Sequence, residues 1–208
     1  MRDFHGILGI GGDPCLDFAN TLEGRGTPKE TERLSDYGDL LAWARQADLI
    51  DDAAAAALGA KAAAQPEAAW LVLTRARSWR EALYRTGAAL AAGHSPDAAD
   101  TALVNAKAFA LIARTRLDPT PHGARRRWNR RPDDLNRVLW PLAWAAVDLL
   151  SGGELLRLRE CGNPDCHRLF VDRSRNGLRR WCTMRGCGNR MKARRYHRRR
   201  RGEAASVT

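Results

Sequence analysis

A chain of 208 residues with 44% hydrophobic content has enough apolar material for one domain of ordinary size and a small second one. Its 35 Lys and Arg against 24 Asp and Glu leave a net charge of +11, which points to a polyanionic partner. The longest nearly uncharged apolar run, about Val138–Val147, is too short to cross a bilayer and contains Pro141, and no secretory pattern opens the chain, so a soluble cytoplasmic protein with reduced thiols is expected.

From the N-terminus, Ile7, Leu8 and Ile10 among Gly6, Gly9, Gly11 and Gly12 suggest a short strand or extended segment with close backbone approaches. A helix should begin at Pro14 and end at Gly24. Asp17 and Asn20 are polar among its apolar residues. They read either as a buried hydrogen-bond network or as the floor of a small-molecule pocket. Cys15 stands alone and reads as a small buried apolar residue.

After a polar loop, Leu34, Tyr37, Leu40, Leu41 and Ala44 give helical spacing from about Ser35 or Asp36. Asp51 can cap a helix over Asp52–Ala64, which is nearly all alanine and has little volume to bury. Pro66 opens a long helix over residues 66–92, with Leu73, Ala76, Arg80, Leu83 and Leu90 near one stripe. Ser95-Pro96-Asp97 starts another, to about Phe109.

The period then changes. Leu111–Leu117 and Ala124–Asn129 read as two strands joined by Asp118–Gly123, with Arg114, Arg116, Arg125 and Arg127 on a solvated or a nucleic-acid-facing surface. Pro132-Asp133-Asp134 should start a core helix carrying Leu135, Val138, Leu139, Leu142, Ala146, Leu149 and Leu150, kinked at Pro141. Ser151-Gly152-Gly153 breaks it and marks the domain boundary. Leu155, Leu156 and Leu158 in the connector can dock the C-terminal segment onto the first domain.

Four of the five cysteines fall in the last third, as Cys161-x4-Cys166 and Cys182-x4-Cys187 with fifteen residues between the pairs. Two close pairs around a hairpin-sized insert suit a tetrahedral ion that takes four thiolates, and zinc fits better than an iron–sulfur cluster. Two disulfides would require an oxidising compartment. The insert reads as a hairpin, with Leu169-Phe170-Val171 leading out and Arg180-Trp181 leading back. A run without Gly or Pro from Arg190 to Arg201 can form a basic helix of about three turns. The expected class is mainly α with a small β-hairpin component: a helical domain over 1–153, a treble-clef-like zinc module over 154–202 and a disordered tail over 203–208.

This stretch resembles the CGNR zinc finger through Cys161-x4-Cys166, Phe170, Asp172-x-Ser174, Arg180-Trp181-Cys182-x4-Cys187 and Gly188-Asn189-Arg190-x-Lys192. Leu16-Asp17-Phe18-x-Asn20-Thr21 and Arg80-Glu81-Ala82-Leu83 are similar to segments of the ABATE domain that precedes such fingers. The resemblance implies a stress-induced transcription regulator.

Charge supports a nucleic-acid partner independently. Residues 154–201 hold 16 basic and 4 acidic residues, a net of +12, which leaves 19 against 20 elsewhere. Clustering of this kind is what polyanion binding needs. The candidate contacts are Arg179, Arg180, Arg190, Lys192, Arg194, Arg195, Arg198 and Arg199. Arg190 lies three residues after the last cysteine, and reads as either a positioned contact or a structural partner of Asp172.

No nucleotide-binding glycine motif, serine-hydrolase elbow or HExxH is present, and His5, His94, His122, His167 and His197 are scattered, so an enzyme is not expected. The favoured reading is a zinc-dependent, nucleoid-associated DNA-binding regulator whose first domain dimerises or senses a small-molecule effector. The alternatives are an RNA- or ribosome-associated zinc protein and an adaptor for an acidic protein.

Overall fold

Aspartates set the helix starts. Asp13, Asp36, Asp51 and Asp97 each turn a carboxylate onto a backbone N–H of the first turn, which satisfies donors the helix itself cannot. The helices they open are α1 (Pro14–Ala19), α2 (Tyr37–Gln46), α3 (Asp52–Ala64) and α5 (Ala98–Ile112); α4 (Pro66–Ala91) starts instead on a proline. The computed structural model describes residues 3–128 and 134–205.

Among the described residues the architecture is mainly helical with three small antiparallel strand pairs. The first pair is β1 (Leu22–Glu23) with β2 (Thr31–Glu32); the second is β3 (Thr115–Thr120) with β4 (Gly123–Trp128). After a 3-10 turn at Leu135–Leu139 come α6 (Trp140–Ser151) and a second 3-10 turn at Gly153–Arg157. The last pair joins β5 (Leu158–Glu160) to β6 (Leu169–Val171), and α7 (Asn189–Ala205) ends the described chain. Among the described residues no helix is long and apolar enough to cross a membrane.

Several boundaries differ from the sequence expectations. The glycine-rich segment around Ile7 forms turns rather than a strand, with Ile7 and Leu8 N–H groups both donating to the Phe4 carbonyl. The first helix stops at Ala19, and Gly24 lies in the β1–β2 connection at φ 60°. The β3–β4 turn is tighter than six residues, because Asp118, Pro119 and Thr120 continue the strand and Gly123, at φ 139°, opens the return. The core helix begins at Trp140, so Pro141 is not interior to it. Pro141 has no N–H to give, so it sits in the first turn, and the preceding residues wind as 3-10. Asn129, Pro132 and Asp133 lie outside the described residues.

The core gathers Phe18 of α1, Trp43 of α2, Trp79 of α4 and Trp140 of α6, all essentially inaccessible. The Phe18 ring lies 5.5 Å from Trp43 and 5.8 Å from Trp79. The alanine-rich α3 buries only Ala54 and Leu58, as its small side chains dictate. Leu158, Leu169 and Val171 of the β5–β6 pair belong to this same core.

Candidate metal centre

β5 and β6 are three residues each and flank the first cysteine pair. Leu158 pairs with Val171, Arg159 with Phe170 and Glu160 with Leu169. The partner of Leu169–Val171 is therefore the strand before Cys161, rather than the Arg180-Trp181 return expected from sequence. The return still closes on the first knuckle through one bond, from the Gly162 N–H to the Arg180 carbonyl at 3.0 Å.

All three residues of β6 are buried. Side chains alternate across a strand, and here both faces are covered. Leu169 and Val171 enter the main core. Phe170 joins a second cluster with Cys161, Cys166, Cys182 and Cys187, sealed by Trp181 and by Ile10 from the N-terminal segment.

The four cysteine sulfurs lie within 4.8 Å of one another, and all four residues are buried. Cys182 Sγ is 3.6 Å from Cys166 Sγ and 3.6 Å from Cys187 Sγ. A zinc tetrahedron with bonds of about 2.3 Å has edges of about 3.8 Å, so the donor set fits. N–H groups donate to the sulfurs, among them Asn163 Nδ2 to Cys187 at 3.3 Å and the Cys182 N–H to Cys161 at 3.4 Å. Such bonds orient ligands and stabilise thiolate charge. The thiols alone could not all ionise. Hydrogen bonds from Cys166 and Cys182 pull Cys161 down, and the same sharing pushes Cys166 and Cys182 up. A divalent cation at their centre removes that conflict. Cys15 is buried in the main core and takes no part.

His167 does not substitute for a cysteine. Its ring is held by Glu160, with Nδ1 to Oε1 at 2.6 Å, and by the Pro164 carbonyl at 3.1 Å. Asp172 is fully buried and shapes the loop between the pairs. It accepts from the Ser174 N–H and hydroxyl at 2.9 and 2.5 Å and from the Arg179 N–H at 2.8 Å.

The candidate nucleic-acid residues divide by placement. Arg190, Lys192, Arg195, Arg198 and Arg199 are exposed on α7. Arg190 makes no ion pair among the described residues, with Asp172 or with anything else. Arg194 is also exposed but pairs with Asp165 at 2.5 Å. Arg180 is exposed beside the Trp181 ring, at 5.0 Å from its centroid. Arg179 turns inward: its guanidinium covers the Phe170 ring at 4.4 Å and donates to the carbonyls of Trp181 and Cys182.

Asp17 and Asn20 both hold backbone. Asp17 accepts from the N–H groups of Gly9 at 2.6 Å and Gly11 at 2.8 Å, and the Gly11 carbonyl in turn accepts from the Val171 N–H at 2.8 Å. Burial pushes the Asp17 carboxyl up to about 6, against the lowering effect of those two N–H groups. A Cβ at Gly11 would meet Leu16 Cβ at 2.6 Å, so only glycine permits this approach. Asp17 also lines a cleft of about 450 Å³ with Gly9, Asp13, Gln46, Asp48 and Arg173. Asn20 does not reach it; its amide bonds Leu169.

Other working residues were given no role from the sequence. Arg80 is 2% exposed and bridges Glu32, Glu81 and the Thr21 hydroxyl, which fastens β2 to α4. Its place on the apolar stripe of the long helix was the available signal. Arg168 pairs with Glu23 at 2.8 Å, and Tyr84 donates to the His167 carbonyl at 2.8 Å. These tie the first knuckle to β1 and α4 and carry no sequence signature.

Two family models match the chain. Residues 12–153 match ABATE, described as "Putative stress-induced transcription regulator", and residues 157–200 match the CGNR zinc finger. No curated protein matches the chain significantly. The finger match and the clustered cysteines agree on zinc as the cofactor, and Cys161, Cys166, Cys182 and Cys187 form a set that could hold it. The description of the first segment is regulatory and that of the second is a zinc finger; neither is enzymatic. The chain belongs to the ABATE family, and its C-terminal part is a CGNR zinc finger.

Proposed function

We propose that this protein is a DNA-binding transcriptional regulator in which zinc folds the C-terminal module and α7 carries the contact to nucleic acid. The observation that supports it is α7 itself: Arg190, Lys192, Arg195 and Arg198 are exposed on a helix that starts two residues after a zinc ligand. A helix rooted at a metal site presents its first charges in fixed positions, and phosphate neutralisation supplies most of the affinity. In this reading residues 1–153 form the regulatory body, which dimerises or takes a small effector, and 154–202 form the reading module. The cleft beside Asp17 is where an effector would be sought.

The test is equilibrium binding of the full zinc-loaded chain to duplex DNA and to structured RNA across a salt series. With about five to eight phosphate contacts, the log–log salt slope should be roughly −4 to −7. Arg190→Ala and Arg198→Ala should each flatten it by about one. Tighter binding to the RNA at matched salt would move the function to the RNA-associated alternative. Binding that ignores salt, or that survives both substitutions unchanged, would remove α7 from the function.

A further inference from the structure

The β3–β4 hairpin has a charge pattern that the zinc module does not explain. Six residue pairs form a ribbon from Thr115↔Trp128 to Thr120↔Gly123. Along it Arg116, Leu117, Pro119, Ala124, Arg125 and Arg127 are all exposed. Its root is fixed to the body through Trp144 Nε1, which donates to Thr115 Oγ1 at 3.1 Å, and through Arg114, 3.9 Å from Asp134. Beyond the root the strands pair with each other and expose both faces. A two-stranded ribbon of this kind is marginal by itself.

Residues 114–127 include five arginines and one carboxylate, Asp118. The register puts Arg116 opposite Arg127 and Asp118 opposite Arg125, and directly opposed pairs two residues apart share a face. Asp118 serves both Arg116, at 3.0 Å, and Arg127, at 3.2 Å. Arg125 has no ion pair among the described residues. Three arginines thus crowd one face around a single carboxylate. Exposed pairs of this type contribute little, and like charges directly opposite destabilise a ribbon. Thr115, on the opposite face, is the residue that bonds Trp144, so the arginine face is turned away from α6.

We propose that the β3–β4 hairpin is a second nucleic-acid-contacting arm, using Arg116, Arg125 and Arg127 against phosphates. This rests on the nucleic-acid reading above. The dimensions suit a groove-binding arm. Six residues span about 17–20 Å, and the major groove of B-DNA, about 12 Å wide, admits a two-stranded ribbon. The solitary carboxylate is displaced by phosphate without leaving a buried charge, because it is half-exposed and its arginine partners are exposed.

The experiment compares three forms of the full zinc-loaded chain on one duplex across a salt series. One is Arg116→Ala/Arg125→Ala/Arg127→Ala, the second carries lysine at the same three positions, and the third is Arg190→Ala/Arg198→Ala. The alanine arm variant should weaken binding by about tenfold or more at moderate salt and flatten the log–log slope by about two to three. The lysine variant should stay close to wild type, since it keeps the charge. Thermal melts should be unchanged in both arm variants, because the arm lies outside the core. Wild-type affinity and slope in the alanine arm variant would overturn the proposal and leave α7 as the contact. Equal losses in the alanine and lysine variants would also overturn it, by making ribbon geometry rather than charge the cause. Loss in the arm variant with none in the α7 variant would keep the arm and remove α7. Absence of wild-type binding to any nucleic acid would end both readings.

Discussion

The side-chain amide of Asn20 makes to Leu169 the two hydrogen bonds that a neighbouring strand would make: Nδ2 donates to the Leu169 carbonyl at 2.9 Å, and Oδ1 accepts from the Leu169 N–H at 3.0 Å. Two residues on, the Gly11 carbonyl accepts from the Val171 N–H at 2.8 Å. One edge of β6 is thus paired with β5 and the other with the N-terminal segment. Leu169 and Val171 pack into the main core while Phe170 packs on the four clustered cysteines. Gly87 of α4 makes room for this: a Cβ there would stand 2.9 Å from Leu169 Cδ1. The finger is built against the body through a shared wall.

Removing the amide should therefore destabilise the whole chain. Asn20→Ala leaves a buried N–H and a buried carbonyl of Leu169 unmet, each costing about 1–3 kcal/mol if no water replaces the amide. A loss of roughly 2–4 kcal/mol in a denaturant titration is expected, with a lower zinc affinity accompanying it. A fully stable variant that had lost only a ligand response would instead make Asn20 a pocket residue.

The parts of this arrangement legible in the sequence are those with local chemistry. Capping aspartates, the proline opening α4 and the cysteine spacing are short-range signals, so several helix starts and the clustering of the four cysteines follow from a few adjacent residues. The links between the parts are not local. β1 and β2 are two residues long and β5 and β6 three, too short for any alternation to register. The partner of β6 lies across a metal knuckle, a connection no turn motif announces. Asn20 and Leu169 are 149 positions apart. Asp17 and Asn20 stood out as polar residues among apolar ones, but only their partners reveal that they bind backbone.

The shared wall changes what metal removal should do. By length alone the first domain should keep its fold after chelation, since it has a core of its own. However, Leu158, Leu169 and Val171 lie in that core, and their burial is worth about 1.5–3 kcal/mol apiece. Elemental analysis should find one zinc per chain, and a strong chelator or Cys161→Ser should both unfold the module and lower the melting temperature of the body. Calorimetry checks this with tryptophan fluorescence reporting on Trp43, Trp79 and Trp140. A body transition that stays at its original temperature after metal loss would show that β5 and β6 are dispensable to it.

Asp165 holds one of the candidate DNA-binding arginines. Its Oδ2 accepts from Arg194 of α7 at 2.5 Å and from Lys29, in the β1–β2 connection, at 2.6 Å. Both ion pairs are partly solvated and yield to a competing phosphate. If α7 meets DNA as proposed, Arg194 must exchange a carboxylate for a phosphate, whereas Arg198, with no such partner among the described residues, need not. Arg194→Ala should accordingly reduce the affinity for duplex DNA less than Arg198→Ala. Asp165→Asn should tighten binding by about threefold to tenfold at low salt and steepen the log–log slope by up to about one. In the Asp165→Asn background Arg194→Ala should then cost as much as Arg198→Ala, a coupling that a double-mutant cycle measures directly. Weaker binding by Asp165→Asn would reverse the interpretation and make the carboxylate a brace that aims α7 at the duplex.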